Sequence, residues 1–506
     1  MFIFNKNKWF IFVKQSTLNS LLMKLLLLSC LCFLNANAFG QNQITWGITS
    51  DVSMAMYGYN FPRIVKDGGG DPLISWTHNS NMYFARWNGA GFTNPITLNS
   101  FPIAGAGWMG PDIASKGDTI FAVYKKTPEG DTNSHVWCVG SFDGGMTFNP
   151  PVRVDYIGNN ICRFPTVTID GMGNPIVGFM RLDAGFGNAQ WVVSKSTNLG
   201  ASFSTDVLAS GWSSGNSEVC DCCPSKIVAD GNKVAMPYRD NNSNIRDSWV
   251  GISTDGGANF LGGMDVDQQG WMIMSCPSSG PDAVIIGDDL YTTFMSGASG
   301  SSRVSYNISS ISALNGSNAI PLAQTMAVTS QNFPRIDSDL NSMAFVWKQV
   351  SGGQQELAIQ FTGNLAGGIN PLLEIVDIDN VGAVDVMMNN GTIWVVWEDA
   401  SSGTVKYRSG TYTQSLGNKP VENFQSYIKV QPNPSSDVWQ ISGISKSQRI
   451  QYDLSTISGE IIERNSVANF DSKFNFELEN SVLNSGIYYL IISDDYSIET
   501  LKLVKQ

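Results

Sequence analysis

Two eight-residue stretches, SFDGGMTF (141–148) and STDGGANF (253–260), decide the fold of this chain. STNLGASF (196–203) is a weaker third copy with Asn198 in place of the aspartate. In such a stretch the aspartate accepts hydrogen bonds from turn amides, a glycine takes a positive φ, and the final aromatic ring packs beneath. The pattern predicts a tight hairpin whose structural residues in the two good copies are Ser141, Asp143, Gly145, Phe148, Ser253, Asp255, Gly257 and Phe260.

A longer repeat of seven units surrounds these hairpins. Each unit opens with a short strand, usually headed by proline, and the openings lie 49 to 59 residues apart. An aromatic residue ends a second apolar strand thirteen or fourteen residues after each proline position. The openings are FPRI (61–64), GPDI (110–113), FPTV (164–167), CPSKI (223–227), GPDAV (280–284), FPRI (333–336) and AVDV (383–386). The aromatic residues are Trp76, Tyr124, Phe179, Tyr238, Phe294, Trp347 and Trp397.

A repeat of about fifty residues built from short strands predicts a β-propeller. A third strand follows in most units, so the hairpins connect third and fourth strands. The last unit lacks an evident fourth strand after Tyr407, and ITWGITS (44–50) would supply it and close the ring. The sequence therefore predicts an all-β fold with a seven-bladed β-propeller over residues 39–417. Six blades, or a β-sandwich with accidental spacing, are the alternatives.

The composition narrows the class of protein. Only 15% of the 506 residues are charged, whereas glycine occurs 50 times and aromatic residues make up 11%. Such a profile is typical of an all-β extracellular protein. The net charge of −12 argues against a nucleic-acid partner, because few cations are available for phosphates. Histidine-based metal catalysis is disfavoured because His78 and His135 are the only histidines, and no cofactor is predicted.

The first 38 residues have the pattern of a signal peptide. Met23-Lys24 precedes the apolar run LLLLSCLCFL, and Ala36-Asn37-Ala38 is a small-x-small cleavage site. Met23 is a candidate for the true start, and lipidation at Cys30 is an alternative to cleavage after Ala38. The apolar run is too short to span a bilayer, so no transmembrane segment is predicted in the mature chain. We expect export to the periplasm.

The repeat stops near Gly417, and a linker is predicted over residues 418–426. Residues 427–506 contain YIKVQPNPSSD (427–437), YDLSTISGEII (452–462) and SGIYYLIISDDYSIETLKLVKQ (485–506). Alternating strands broken by Pro, Gly and Asp predict a small β-sandwich. One interpretation of this module is an ordinary accessory β-sandwich without a role in secretion.

Both parts of the chain resemble known families. The hairpin stretches resemble the Asp-boxes of sialidase-type (BNR-repeat) propellers, in which the boxes are structural and lie away from the ligand. The C-terminal module is similar to the type A C-terminal sorting domain of the type IX secretion system of Bacteroidota. That resemblance implies recognition by an outer-membrane translocon as partner, followed by secretion or attachment at the outer-membrane cell surface.

Six cysteines remain after signal removal, and they are disulfide candidates because the expected compartment is oxidising. They are Cys138, Cys162, Cys220, Cys222, Cys223 and Cys276. The preferred pairing links the 220–223 cluster to Cys276, although six cysteines allow fifteen connectivities. Because Met272 and Met274 stand nearby, a soft-metal site such as Cu(I) is an alternative, while the primary prediction is no metal. A redox centre is typically a Cys-x-x-Cys at a helix start, which is absent.

A ligand site is predicted where the loops that precede the first strands meet. The residue after each opening proline position is polar, which a purely structural strand does not require. The series is Arg63, Asp112, Thr166, Ser225, Asp282, Arg335 and Asp385. The predicted ligand residues are Arg63, Asp112, Arg239, Asp282 and Arg335, and a solvated channel of mutually paired charges is the alternative.

Three functions remain open. The first is a surface propeller that binds glycan or protein without hydrolysis. The second is an exo-sialidase-type glycoside hydrolase, for which the resemblance implies arginines on a carboxylate and a tyrosine paired with a glutamate. Its candidate residues are Arg63, Arg239, Arg335, Tyr238 and Glu218, although Phe61-Pro62-Arg63-Ile64 exchanges the proline and arginine of the family motif. The third function is an adhesin or matrix component.

Overall fold

The computed structural model describes residues 44–52, 54, 60–213, 218–413, 428–444, 449–457, 461–468, 473–493 and 498–506. The predicted signal peptide and linker lie outside these residues. The chain divides into two compact units, Met1–Gly417 and Asn418–Gln506. Among the described residues, no helix has the length and apolarity that a membrane span requires.

The described part of the first unit contains seven sheets, numbered 1 to 7 here in chain order, and each corresponds to one predicted repeat unit. Within each sheet, neighbouring strands are antiparallel and mostly consecutive in sequence. Sheet 1 contains Arg63–Lys66, Pro72–His78, Asn81–Arg86 and Ile96–Thr97. Sheet 2 contains Asp112–Lys116, Thr119–Lys125, Val136–Ser141 and Val152–Arg153. Sheet 3 contains Ile161–Ile169, Pro175–Leu182, Gln190–Lys195 and Val207–Leu208.

The remaining sheets follow the same plan with small additions. Sheet 4 contains Val228–Asp230, Lys233–Arg239, Ser248–Ser253 and Gly262–Asp265. Sheet 5 contains Asp282–Ile286, Asp289–Ser296, Arg303–Ser310, Asn315–Gly316 and Ile320–Pro321, the last two both pairing with the third strand. Sheet 6 contains Val328–Asp339, Ser342–Ser351, Gln354–Thr362 and Leu373–Asp377, with a 3₁₀ turn at Leu365–Gly367. Sheet 7 contains Val381–Asn389, Thr392–Asp399, Thr404–Tyr412, Ile44–Trp46 and Ser50–Asp51.

The sheets form a closed ring. The first strand of each sheet contacts the first strand of the next, and that of sheet 7 contacts that of sheet 1. Ile44–Trp46 pairs with Thr404–Tyr412, with Ile44 opposite Tyr412, so the predicted closing strand is confirmed. Because one sheet combines both ends of the unit, the ring has no open edge between its first and last repeats. The all-β propeller prediction is confirmed.

The predicted aromatic residues of the second strands form much of the core. All seven are at most 1% exposed, and they pack in apolar clusters with residues of the same and adjacent sheets. Burial of one such ring stabilises the fold by roughly 3 kcal/mol relative to its exposure. The regular position of the aromatic residues thus reflects a repeated contact between sheets.

The Asp-box turns have the predicted geometry. Asp143 Oδ1 accepts hydrogen bonds from the backbone N of Met146 and Thr147, each at 2.9 Å. Ser141 Oγ accepts one from Gly145 N at 2.9 Å, and Gly145 has a φ of +81°. The ring of Phe148 packs edge-on against Phe84, with 5.1 Å between the centroids.

The other two copies repeat these contacts. Gly257 N donates to Ser253 Oγ at 2.9 Å, and Asn259 N donates to Asp255 Oδ1 at 2.9 Å. In the degenerate copy, Asn198 Oδ1 accepts from Ser202 N at 2.9 Å, as an aspartate would. Phe260 is buried beneath its turn. All three turns follow third strands, so antiparallel pairing places them at the end of the ring opposite the loops that precede the first strands.

The second unit contains two sheets in its described residues. One comprises Lys429–Gln431, Val438–Ile444 and Lys473–Glu479, and the other comprises Ile461–Ala468, Arg449–Thr456, Gly486–Ser493 and Ile498–Lys505. Buried residues from both sheets, among them Trp439, Ile441, Tyr452 and Leu490, form one core. The unit is a small β-sandwich.

Candidate functional site

The loops that precede the first strands, called leading loops here, meet around the ring axis. Arg63 Nε lies 3.7 Å from Asp112 Oδ1, and Arg335 Nη1 lies 4.0 Å from Asp282 Oδ2. Lys226 Nζ also contacts Asp112, with 2.7 Å to Oδ1 and 2.8 Å to Oδ2. The polar residues that open the first strands therefore form ion pairs between different sheets. We call Arg63, Asp112, Thr166, Lys226, Asp282, Arg335 and Asp385 the axial ring.

Carboxylates of the axial ring also bind the backbone of the following sheet. Asp112 Oδ2 accepts a hydrogen bond from Val167 N at 2.9 Å, and Asp282 Oδ2 accepts one from Ile336 N at 3.2 Å. Asp385 Oδ2 accepts one from Ile64 N at 3.0 Å, across the ring closure. Each of these aspartates thereby ties its sheet to the next one.

One member of the predicted polar series does not join the axial ring. Ser225 Oγ donates to Pro237 O, which belongs to the second strand of its own sheet. Lys226, the next residue, supplies the side chain that reaches Asp112. The repeat predicted the opening strand at 223–227, whereas the first strand of sheet 4 is Val228–Asp230, and the repeat did not show which of two adjacent side chains turns toward the axis.

Burial and charge oppose each other in the axial ring. Burial alone would raise the pKa of Asp112, but Lys226 and Arg63 outweigh it and hold that pKa below its usual value. Burial, followed by repulsion from Arg335, lowers the pKa of Arg63 to about 10. For Asp282, burial prevails over the attraction of Arg335, and its pKa is raised. The axial ring is thus a buried and electrostatically coupled set of charges.

A shallow pocket opens among the leading loops, with room for about one water molecule. Its lining residues come from the loops or first strands of six sheets. They are Phe61, Gly107, Trp108, Pro224, Gly280, Phe333, Pro334, Arg335, Ala383 and Val384. Three aromatic residues and one arginine therefore line a single shallow concavity.

The three Phe-Pro dipeptides have an unusual backbone: Phe61 precedes the first strand of sheet 1, whereas Phe164 and Phe333 lie at register shifts within the first strands of sheets 3 and 6. Phe61, Phe164 and Phe333 have φ values of 40°, 50° and 50°, which bulky residues seldom adopt. A cation stacks on each ring: Arg63 lies 4.0 Å from the centroid of Phe61, Arg163 lies 4.4 Å from Phe164, and Lys348 lies 4.7 Å from Phe333. Such conformations persist only where the surroundings enforce them, and they concentrate at binding sites.

The five predicted ligand residues separate into three groups. Arg335 lines the pocket, whereas Arg63, Asp112 and Asp282 are buried members of the axial ring. Arg239 requires a correction. Its guanidinium is fully buried and donates to the backbone oxygens of Ser279, Arg246 and Met295 at 3.1, 2.7 and 2.6 Å. Because these bonds occupy the side chain, Arg239 holds loops together and is not available to a ligand.

The predicted hydrolase residues are not assembled into a site. Tyr238 is fully buried in an apolar cluster, and that burial raises the pKa of its hydroxyl. Glu218 is exposed and accepts a hydrogen bond from Asn188 N at 2.8 Å. A tyrosine nucleophile must reach the substrate as a phenolate, which burial of Tyr238 disfavours. The structure thus separates Tyr238 from the pocket lined by Arg335.

The cysteine cluster lies on the leading loops of sheets 4 and 5. Cys222 and Cys276 form a disulfide, the pairing class that the sequence favoured. Cys220 and Cys223 are buried thiols whose Sγ atoms lie 3.2 Å apart, and Arg246 Nη1 donates to Cys220 Sγ at 2.8 Å. The Cys220-x-x-Cys223 spacing is therefore present, in a turn and beside an arginine, although the sequence argument sought it at a helix start.

Four disulfide candidates need a correction, because Cys138, Cys162, Cys220 and Cys223 are free in the structure. Cys162 Sγ lies 2.8 Å from Asp155 Oδ2, and Cys138 packs in an apolar cluster within sheet 2. Burial raises the pKa of both of these thiols. They behave as small buried side chains, which is a common use of free cysteine.

Three sulfurs and one carboxylate lie close enough to suggest a metal site. The ligand atoms of Cys220, Asp221, Cys222 and Cys276 lie within 4.8 Å of one another. However, two of the sulfurs are joined in the disulfide, and the third accepts a hydrogen bond from Arg246. In this state the group offers no set of free thiolates, and the positive arginine opposes a cation.

One family model matches the chain. Residues 429–506 match the secretion system C-terminal sorting domain, which confirms the predicted type IX sorting domain. The protein is therefore exported, either secreted or held at the outer-membrane cell surface, and its C-terminal unit engages the secretion machinery. A search of curated proteins finds no match for the chain.

Several solved structures are similar to the chain at low identity. A protein of unknown function from Dyadobacter fermentans is 13% identical, covers 66% of this chain and 100% of that chain, and has a TM-score of 0.44. An α-L-arabinofuranosidase from Fusarium graminearum is 13% identical over 63% of this chain and 99% of that chain, with a TM-score of 0.42. A mutant Trypanosoma rangeli sialidase displaying trans-sialidase activity is 10% identical over 91% and 88%, with a TM-score of 0.43. Similarities this remote carry no argument about activity.

Proposed function

We propose that the propeller is a glycan-binding module that does not hydrolyse its ligand, and that its site is the pocket among the leading loops. The observation that carries this proposal is the shared surface of the partly exposed Trp108, Phe333 and Arg335, which lie beside the buried ring of Phe61. Aromatic rings offer flat apolar area to the face of a sugar, and a guanidinium offers several donors to hydroxyl or carboxylate oxygens.

Charge supports a neutral ligand over a strongly charged one. In the axial ring, three cations (Arg63, Lys226 and Arg335) face three carboxylates (Asp112, Asp282 and Asp385). These groups largely satisfy one another, so little net field extends to the pocket. A neutral saccharide would bind by stacking and by single hydrogen bonds, without displacing an ion pair.

The burial and hydrogen bonding of the candidate catalytic residues favour ligand binding without hydrolysis. Tyr238 is buried and Arg239 is fully bonded to backbone oxygens. Sialidase-type hydrolysis remains the alternative, and turnover of a fluorogenic sialoside by purified propeller would establish it in place of our proposal.

The binding proposal is tested with a glycan array, followed by titration calorimetry with the best ligand. Phe333→Ala should weaken binding about tenfold or more, because it removes one of the three aromatic rings that line the pocket. Arg335→Gln should weaken it less, since the aromatic surface stays. Phe142→Ala is the matched control, because this exposed aromatic residue belongs to an Asp-box turn at the opposite end. Equal affinity of Phe333→Ala and the control would place the ligand elsewhere.

We also infer that the C-terminal unit binds the outer-membrane translocon directly. The sorting-domain match to residues 429–506 supports this. Deletion of residues 421–506 should leave the propeller folded in the periplasm and absent from the medium and cell surface. Normal surface delivery of the truncated chain, detected by immunoblot of cell fractions, would contradict the inference.

A further inference from the structure

Four cysteines on two neighbouring leading loops combine a disulfide with a dithiol. The disulfide joins Cys222 to Cys276, and Cys276 is exposed to solvent. Cys220 and Cys223 are the buried dithiol, at most 1% exposed, and a turn hydrogen bond links Cys223 N to Cys220 O at 3.2 Å. Oxidised and reduced sulfur therefore stand side by side in one cluster.

The distances allow sulfur to attack sulfur without rearrangement of the fold. Cys220 Sγ lies 3.4 Å from Cys222 Sγ, which is half of the disulfide, and 3.2 Å from Cys223 Sγ. Both separations correspond to contact between sulfur atoms. Thiol–disulfide exchange begins with such a contact, when a thiolate attacks one disulfide sulfur and the other leaves.

The surroundings of Cys220 stabilise a thiolate. Arg246 Nη1 donates to Cys220 Sγ at 2.8 Å, and the buried guanidinium of Arg239 adds positive charge nearby. A hydrogen bond from Cys223, together with these arginines, lowers the pKa of Cys220 to about 6 despite its burial. Burial raises the pKa of Cys223, so this second thiol keeps its proton. The cluster thus contains one nucleophilic thiolate, Cys220, and one protonated thiol, Cys223.

We propose that the four cysteines form a thiol–disulfide exchange site that moves the disulfide inward and releases Cys276 as a surface thiolate. First, the Cys220 thiolate attacks Cys222 Sγ, a Cys220–Cys222 bond forms, and the Cys222–Cys276 bond breaks with Cys276 as leaving thiolate. Next, Cys223 attacks Cys220 Sγ and expels Cys222, which takes the proton that Cys223 loses. The end state is a Cys220–Cys223 disulfide, a Cys222 thiol and an exposed Cys276 thiolate.

The exchange is balanced without an external oxidant or reductant. One disulfide is broken and one is formed, and the negative charge moves from a buried position to the surface. The released Cys276 thiolate can then exchange with a disulfide of an extracellular protein or small molecule. The inference is independent of the glycan-binding proposal, because the cluster lies outside the residues assigned to stacking.

The test uses the native secreted protein and the aromatic disulfide DTNB as probe. We expect about one equivalent of thionitrobenzoate per chain, with the adduct mapped by mass spectrometry to Cys276 and a Cys220–Cys223 disulfide in the same molecules. Cys220→Ser should release none, because no thiolate can open the disulfide. Cys138→Ala, which removes another buried free thiol, should react as the wild type does.

Arg246 is a positioning residue that donates a hydrogen bond to the Cys220 thiolate. Variants of Arg246 test the proposal independently, in case Cys220→Ser does not fold. Arg246→Gln should slow release about tenfold at neutral pH and move the pH midpoint of the rate from about 6 toward the usual thiol value. Arg246→Lys, which keeps the charge, should restore most of the rate and a midpoint near that of the wild type. Absence of release from the wild type, an adduct mapped to another cysteine, or a pH profile unchanged in Arg246→Gln would overturn the proposal.

Discussion

The two ends of the propeller are stabilised in different ways. At the Asp-box end, the serine and aspartate side chains find their acceptor contacts within one short turn: Asp143 accepts from amides three and four residues later, and Ser141 from one four residues later. At the leading-loop end, partners are distant in sequence, and Asp112 contacts Lys226, which lies 114 residues away. The side-chain hydrogen bonds of the Asp-box serine and aspartate are therefore local, whereas the charged side chains of the axial ring bond to residues of other sheets.

The difference explains the pattern of sequence variation along the repeat. The three Asp-box turns keep the same hydrogen bond, since even the degenerate copy retains the one from Ser202 N to Asn198. The axial positions vary among arginine, aspartate, threonine and lysine, because each residue must complement its neighbours and not its own sheet. The Asp-box sequence recurs because its hydrogen bonds form within one turn. The axial residues alternate in charge because their ion pairs form between sheets.

The largest effect should follow removal of a carboxylate from the axial ring. Asp112→Ala leaves Arg63 and Lys226 without their nearest counter-charge and Val167 N without its acceptor. Loss of one partner of a buried ion pair costs about 3–5 kcal/mol of unfolding free energy. Urea denaturation measures this loss, and Asp71→Ala, at an exposed acid, is the control. A change no larger than that of the control would mean that the axial ring does not hold the sheets together.

A second prediction concerns pH. Asp337 Oδ2 accepts from Met388 N at 2.6 Å, and burial raises the pKa of this carboxyl to about 7 although Lys66 opposes the shift. The folded protein therefore holds the proton more tightly than the unfolded chain. The resulting stability is complete below the unfolded pKa of about 4 and is lost as pH rises through about 7. For Asp112 the pKa is lowered, so its contribution is present above about 4 and lost in acid.

Asp337→Asn should remove the loss of stability that ionisation of the buried Asp337 carboxyl causes as the pH rises. The variant should melt a few degrees above the wild type at pH 8, where the wild-type carboxylate is charged, and by a clearly smaller margin at pH 5, where most of the loss has not yet occurred. Thermal melts at both pH values measure the effect. Equal Tm differences at the two pH values would show that ionisation of Asp337 does not limit stability.

A third and smaller effect is expected at the Asp-box end. Gly145 has a φ of +81°, and an added Cβ would lie 2.6 Å from the ring of Phe84. Gly145→Ala should therefore cost about 1–3 kcal/mol of unfolding free energy through backbone strain and crowding. Gly171→Ala is the matched control, because its Cβ would meet its nearest atom at 3.7 Å. Ligand affinity at the opposite end should not change in either variant.

The smallest effect is expected from repair of the degenerate turn. Asn198→Asp restores the aspartate of the other two copies, but Asn198 already accepts the turn hydrogen bond from Ser202 N. The unfolding free energy should change by no more than about 0.5 kcal/mol, measured in urea. A larger gain would show that the carboxylate charge contributes more than its geometry does.

Individual residues show which structural features could be predicted from the sequence. Trp76 and Trp397 were placed correctly on the second strands of their units, because apolar alternation and a regular spacing can be read within short windows. Ile44–Trp46 was placed as the closing strand, because the last repeat lacked one. Arg239 was misplaced as a ligand residue, since its three acceptors are backbone oxygens that no side-chain pattern reveals.

The sequence by itself determined the repeat, the Asp-box turns, the closing strand and the C-terminal sorting domain. These features rest on hydrogen bonds and alternation within a few residues, or on a spacing that recurs. The tertiary structure alone decided which charges pair across the axis, and that Cys222 bonds to Cys276 while Cys220 stays a thiol beside Arg246. Adjacent residues in a turn point in different directions, and their partners come from loops about fifty residues away in sequence, so only the assembled ring selects among them.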